Sequence, residues 1–361
     1  MKRLVVCCDG TWNRPDQPSP TNVAKVGCGI ASQDSGGVRQ RVHYHPGVGT
    51  GRFERLRGGA FGLGLSRNVR ECYRFLVEHY ESGDELYFFG FSRGAFTARS
   101  TIGLLRNAGI LRPEHVDRVD AAYDLYRKRG EPHSPSGNQA RIFQQTYSHE
   151  TIDVHFAGVW DTVGSLGIPG LRGPIANRWW GFHDTELSSR VRNAYQALAI
   201  DEQRRLFPPT IWHQQQDAEG QAFEQRWFAG VHCDVGGGYA DPSVAELALL
   251  WLVAQARECG LAFKPEHFLE VTPAPGSARR RTGEHVAPDA LGTIGDSRKG
   301  FYRLFAPWQR ELRDLDGNAH LDLAPSVVER RRERSDYRPE NLERYIDSRQ
   351  QQASTGGSVG A

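Results

Sequence analysis

The sequence predicts an α/β fold, a three-layer sandwich in which a mostly parallel sheet carries helices on both faces. Three observations predict it. Short apolar runs bounded by turn residues alternate with longer amphipathic stretches. One of these runs, residues 85–89, leads straight into Gly90-Phe91-Ser92-Arg93-Gly94, and a helical pattern begins immediately beyond. An aspartate and a histidine then follow later strands, Asp161 first and His232 second.

Element by element, residues 2–8 read as a first buried strand, 41–45 as a second and 85–89 as a third. Residues 154–159 and 226–231 complete the strong set, with 210–213 a weaker candidate. Residues 68–81 place Val69, Cys72, Tyr73, Leu76 and Tyr80 at helical spacing, and 95–108 do the same with Ile102 and Leu105. By the same criterion 116–129, 187–200 and 244–259 are helices. Two stretches break the alternation: 46–64 is rich in glycine, and 164–184 is rich in Gly, Pro and aromatic residues. The expected organisation is a catalytic core over 1–260, an extension over 261–349 packed on the same domain, and a disordered tail over 350–361.

Composition narrows the function. With 361 residues the chain can bury a large core, and 45 basic against 43 acidic side chains leave a formal charge of +2. That balance lacks the concentrated positive field of a nucleic-acid binder, so no nucleic-acid partner is expected. No apolar run is long enough to span a bilayer, and the run after Lys2 and Arg3 stops at Asp9, too short for a signal peptide. A cytoplasmic location is expected, with export by a signal-independent route compatible with it. Cys7, Cys8, Cys28, Cys72, Cys233 and Cys259 include no C-x-x-C pair, which points to reduced thiols and argues against a zinc site. The stretches 279–281 and 330–334 are basic runs expected to be solvated surface.

The chemistry centres on Ser92. A Gly-x-Ser-x-Gly turn between strand and helix bends sharply, thrusts the hydroxyl above the sheet edge and aims the next amide, here that of Arg93, into the same pocket. Serine attacks only when a base takes its proton, so a histidine and an orienting carboxylate are required. Hydrolases of this α/β type present them in the order Ser, Asp or Glu, His. Asp161, in Gly158-Val159-Trp160-Asp161-Thr162-Val163-Gly164, and His232, ahead of the glycine run 236–238, satisfy that order at strand ends. His320 is the reserve histidine. Asp234 competes with Asp161, although its carboxylate could instead fold back on local amides. A second oxyanion donor is expected from the amide of Gly10 or Thr11, after the first strand.

Other chemistries fit poorly. An aspartyl phosphatase needs a nucleophilic aspartate two residues before Asp9, where Cys7 stands. Gly47-Val48-Gly49-Thr50-Gly51 lacks the Gly-Lys-Ser/Thr ending of a nucleotide loop, and Gly236-Gly237-Gly238 opens no dinucleotide fingerprint. No metal and no organic cofactor is called for. Ile168, Leu171, Trp179 and Trp180 form a candidate acyl pocket or lid, with completion of the core as the alternative.

Five separated blocks carry a resemblance. They are Cys8-Asp9-Gly10-Thr11-Trp12-Asn13 with Thr21-Asn22-Val23, Gly90-Phe91-Ser92-Arg93-Gly94-Ala95, residues 159–164, Ala197-Leu198-Ala199-Ile200-Asp201-Glu202, and residues 230–239. Together they resemble the α/β-hydrolase domain family that includes the phospholipase effectors of type VI secretion. The resemblance implies a triad on Ser92, Asp161 and His232, and a phospholipase A activity on membrane lipids, with peripheral membrane contact. Asp9 carries over as a motif residue without an assigned role. This chain departs from the family in having Cys233 where a small polar residue is common, and in leaving too few residues after the hydrolase blocks for a large membrane-facing module. The reading is therefore a serine ester hydrolase acting through an acyl-enzyme on a lipid. The alternatives are a small-ester esterase and a catalytically silent binding module on the same fold.

Overall fold

The computed structural model describes residues 1–10, 13, 19–47, 60–128, 130–150, 152–164, 186–215, 218–271, 285–312 and 320–356. Its centre is one seven-stranded sheet, every neighbouring pair of which is parallel. In chain order the strands are β1 (Arg3–Cys8), β2 (Gln40–His45), β3 (Glu85–Phe91), β4 (Val154–Trp160), β5 (Asn193–Ala199), β6 (Ala222–Phe228) and β7 (Leu321–Leu323). Their spatial order is β7-β6-β5-β4-β3-β1-β2. The chain therefore runs outward from β1 to β2 and returns to the other side of β1 as β3. A reversal of this kind opens a crevice at the carboxyl ends of β1 and β3, where ligands of parallel α/β sheets bind.

Strand alternation sends each inner strand's side chains into two cores. Val5, Cys7, Tyr87 and Phe89 pack on one face with α1 (Asn22–Gly29) and a later helix, Ser243–Glu258. Leu4, Val6, Leu86 and Phe88 pack on the other with α2 (Ala60–His79) and α3 (Arg93–Ala108). The result is the predicted three-layer α/β sandwich with a parallel sheet.

Three elements differ from the sequence expectation. The strand expected over 226–231 is β6, Ala222–Phe228, which ends four residues before His232. Residues 187–200, expected as a helix, contain β5, which lies between β4 and β6. Asn193-Ala194-Tyr195-Gln196-Ala197-Leu198-Ala199 is rich in helix formers, but ladders on both sides satisfy its backbone and override that preference. Gln196, fully buried, accepts from Thr162 Oγ1 at 3.0 Å and donates to the Thr210 carbonyl at 3.0 Å. Residues 210–213 form no strand of the main sheet; His213–Gln214 pairs only with Glu186–Leu187 in a separate two-stranded ribbon. In addition, residues 350–356, expected as tail, continue the helix Glu340–Gly356.

Residues beyond 260 are integral to this architecture. β7 extends the sheet through β6. Asn341 donates to the Ile200 carbonyl at 3.0 Å, and Tyr337 donates to Asp201 Oδ2 at 2.9 Å. Among the described residues no helix is long and apolar enough to cross a membrane.

Candidate active site

Ser92 follows β3 and caps α3 with φ 59° and ψ −124°. A positive φ is costly for a side chain other than glycine and persists only where the surroundings impose it. The flanking glycines explain how the turn is tolerated. A Cβ on Gly90 would stand 2.5 Å from Ala95 Cα, and one on Gly94 would stand 2.1 Å from the Cys8 carbonyl oxygen. The helix can therefore start directly against β1, which places the serine at the carboxyl edge of the sheet. The Ser92 amide donates to the Trp160 carbonyl at 3.0 Å, tying the turn to β4.

Asp161 follows β4, also at positive φ (39°), and is fully buried. His232 opens the helical turn His232–Gly236 beyond β6. The structure brings the three residues together. Ser92 Oγ lies 2.8 Å from His232 Nε2, and His232 Nδ1 lies 2.5 Å from Asp161 Oδ2. With a carboxylate on Nδ1, that nitrogen holds the proton and donates to Asp161, leaving Nε2 to accept from the serine hydroxyl. Phe91 and Phe207 wall the imidazole, with ring centroids 4.6 and 5.1 Å away. Burial pushes the His232 pKa below its usual 6.5, against the opposing pull of Asp161, so the ring is neutral near pH 7.

Sequence reasoning missed Arg310. This fully buried arginine places Nη1 2.6 Å from Asp161 Oδ1 and Nη2 3.0 Å from Oδ2, a fork-to-fork pair. Its remaining reach goes to the Ala199 and Phe207 carbonyls at 2.9 and 2.7 Å, and the Ala199 amide donates to Asp161 Oδ1 at 3.0 Å. Burial alone would raise the Asp161 pKa. The Arg310 charge and the His232 hydrogen bond overcome it and hold the carboxyl well below the ordinary carboxylate range. Nothing local in the sequence around Arg310 marks it, because its partner lies 149 residues earlier.

The competitors lie elsewhere. Asp234 turns back on the backbone, accepting from the Val231 and Gly295 amides, both at 2.9 Å. His320 stands at the start of β7 with its ring against Phe223, at the amino end of a parallel sheet and so at the far edge from Ser92. Cys233, next to His232, has its thiol pushed up to about 12 by burial and is not a nucleophile at neutral pH.

The oxyanion expectation needs one correction. Gly10 does lie beside Ser92, since a Cβ on it would stand 3.3 Å from Ser92 Cβ. Its amide, however, donates to Asp9 Oδ1 at 2.6 Å and is committed there. Asp9 also accepts from Thr21 Oγ1 at 2.7 Å and from the Tyr44 hydroxyl at 2.5 Å. Burial raises its pKa to about 6 in spite of these donors. Arg93 is the first residue of α3, where backbone amides point out of the helix and favour negative charge. Thr11, Ile168, Leu171, Trp179 and Trp180 lie outside the described residues. Among the described residues no three or more His, Cys, Asp or Glu side chains form a metal-holding group.

With this geometry in view, residues 2–255 match the model of the family described as "T6SS, Phospholipase effector Tle1-like, catalytic domain". The chain belongs to the Tle1-like phospholipase effector family. Within that match fall Ser92, Asp161 and His232; Arg310 falls beyond it. The Tle1-like chain is 30% identical over 227 residues to "Uncharacterized protein YEL023C" of Saccharomyces cerevisiae, an alignment covering 57% of this chain and 32% of the yeast protein. Among solved structures it is similar to an uncharacterized protein from Pseudomonas aeruginosa, at 17% identity and TM-score 0.38, covering 73% of this chain and 46% of the other. It is also similar to the Tle1 effector solved bound to the VgrG spike of the type 6 secretion system, at 19% identity and TM-score 0.40, covering 66% and 51%. A thermophilic esterase from Thermogutta terrifontis, Est2 with propionate bound, aligns at 15% identity and TM-score 0.34, covering 73% and 85%. The chain thus spans about a third of the yeast protein and about half of the first two structures.

Proposed function

We propose that this Tle1-like chain is a serine hydrolase of phospholipase A type, cleaving the carboxylic esters of lipids through an acyl-enzyme. The observation that carries the proposal is the continuous Ser92–His232–Asp161 hydrogen-bond chain, with Ser92 at positive φ on a strand-to-helix turn. In the first half-reaction His232 Nε2 takes the Ser92 proton while Oγ bonds to the ester carbonyl carbon, and the carbonyl electron pair moves onto oxygen. The Arg93 amide at the start of α3 faces that oxyanion. Collapse expels the alcohol part of the lipid, which His232 protonates. Water, deprotonated by His232, then attacks the acyl-serine and releases the fatty acid.

Asp161 holds the imidazole tautomer and stabilises the imidazolium of each transition state, and Arg310 in turn fixes Asp161. The reaction described uses the triad side chains, the Arg93 backbone amide and water. The family membership supports the lipid over a small ester as substrate. The test is a product assay on phosphatidylglycerol vesicles and on a water-soluble short-chain ester, with wild type and Ser92→Ala. Fatty acid and lysolipid released by wild type and not by Ser92→Ala are expected. Turnover of the soluble ester with vesicles untouched would refute the lipid assignment, and equal turnover by Ser92→Ala would refute the mechanism.

A further inference from the structure

Just before Arg310, the chain presents an apolar and basic edge beside the site. Residues 303–307, Arg303-Leu304-Phe305-Ala306-Pro307, are exposed one after another, with Leu304 79% and Phe305 47% accessible. A single exposed leucine is ordinary on a protein surface, whereas an unbroken exposed apolar run marks a surface that meets something else.

Its position ties it to the catalytic chemistry. The Tyr302 ring meets Phe207 edge-on at 6.1 Å, and Phe207 meets the His232 ring at 5.1 Å. Arg204 lies over both aromatic rings, at 3.6 Å from Phe207 and 5.2 Å from Tyr302. The Trp308 amide donates to the Gln203 carbonyl at 3.0 Å, fastening the segment to the loop after β5. The apolar run thus stands on the carboxyl side of the sheet, joined to the His232 ring through Tyr302 and Phe207.

Charge decides the partner. Arg298, Lys299 and Arg303 accompany Leu304 and Phe305, and Arg205 is exposed on the neighbouring loop. Against them in this segment stands the carboxylate of Asp296, 3.5 Å from Arg303. Two copies paired edge to edge about a two-fold axis would bring like charges together. An anionic bilayer instead offers phosphates to the cations and acyl chains to the apolar residues.

We propose that residues 298–308 are an interfacial edge that seats the domain on an anionic lipid bilayer, with Leu304 and Phe305 entering below the headgroups. Arg298, Lys299 and Arg303 meet the phosphate level, their stems lying along the apolar residues. This deepens the lipid-hydrolase reading and rests on it for its purpose: the edge holds the mouth of the Ser92 site against the surface that contains the ester.

The experiment separates the two claims. Binding is measured by sedimentation of the full chain carrying Ser92→Ala with vesicles of phosphatidylglycerol and phosphatidylcholine, or of phosphatidylcholine alone. The expected result is binding to the anionic vesicles that falls about tenfold on adding Leu304→Asp and Phe305→Asp. Arg303→Glu should weaken binding to the anionic vesicles, most clearly at low salt. With Ser92 intact, the Leu304→Asp/Phe305→Asp variant should hydrolyse a water-soluble ester at the wild-type rate and lose vesicle hydrolysis. Unchanged vesicle binding in that variant overturns the proposal, as does a loss of soluble-ester turnover equal to the loss on vesicles. Dissolution of a self-associated form in sedimentation velocity, with vesicle binding intact, would assign the edge to a second copy and also overturn it. If the chain cleaves no ester yet binds anionic vesicles through Leu304 and Phe305, the hydrolase reading fails and the interfacial edge stands.

Discussion

Replacing Arg310 by Met separates the electrostatic support of Asp161 from the triad itself. Arg310 makes two bonds to the Asp161 carboxylate, at 2.6 and 3.0 Å, and both residues are fully buried. Removing one partner of a buried ion pair strands the other charge, which costs about 3–5 kcal/mol. Urea unfolding at pH 8 should show a loss of that order. The sign of the pH dependence follows from the pKa shift. Asp161 is held below the ordinary carboxylate range, so its ionised form stabilises the fold above that range, and the contribution is lost as pH falls through the folded pKa. Without Arg310, burial raises the Asp161 pKa, so acidification protonates the stranded carboxyl and the deficit narrows as pH drops.

The activity of the same variant discriminates a positioning role from a merely structural one. With Arg310→Met, kcat should fall on the order of tenfold to a hundredfold with KM unchanged, because substrate touches neither residue. Loss of the guanidinium charge should move the acid limb of kcat/KM upward, since less positive charge then opposes the imidazolium. Arg310→Lys keeps the charge without the fork and should recover part of the rate. A variant as stable as wild type, with wild-type kcat and an unmoved acid limb, would refute the reasoning.

Other consequences are as direct. Because burial lowers the His232 pKa, the acid limb of kcat/KM should have its midpoint below pH 6.5, activity falling as pH drops and the ring gains its proton; a midpoint above 7 would contradict the burial argument. Asp161→Asn should lower kcat by about 10⁴ through the wrong imidazole tautomer, with soluble-ester KM little changed. Gly94→Ala should destabilise the fold by about 1–3 kcal/mol in urea unfolding, at the upper end of that range, since its methyl would stand 2.1 Å from the Cys8 carbonyl oxygen and neither backbone can yield cheaply. Full stability in that variant would mean that α3 does not need to touch β1.

The parts of the molecule that the sequence announces are those whose signal is local. The run from Glu85 into Ser92 and then α3 is a strand, a glycine-flanked turn and a helix in contiguous residues, so context and motif reinforce each other. Asp161 stands out because it directly follows an apolar strand, and His232 because it follows the run 226–231 just ahead of the glycines 236–238. β5 was hidden by its alanines, leucine and glutamine, a composition that suits a helix equally well until two flanking strands claim its backbone. Asp9 is part of a recognisable block, but its grip on the Gly10 amide depends on how a short loop folds back. Arg310 and the exposed edge at Leu304 were invisible for a different reason: Arg310 matters through a partner 149 residues away, and the edge through an exposure that no local pattern announces.

The central claim is that Ser92 is a nucleophile activated by His232 and Asp161. Its most direct test is the intact mass of the protein after exposure to a fluorophosphonate, followed by peptide mapping. One adduct is expected, on the peptide containing Ser92, formed far more slowly in His232→Ala and absent from a folded Ser92→Ala variant. An adduct on another residue, or labelling of Ser92→Ala at the wild-type rate, would contradict it.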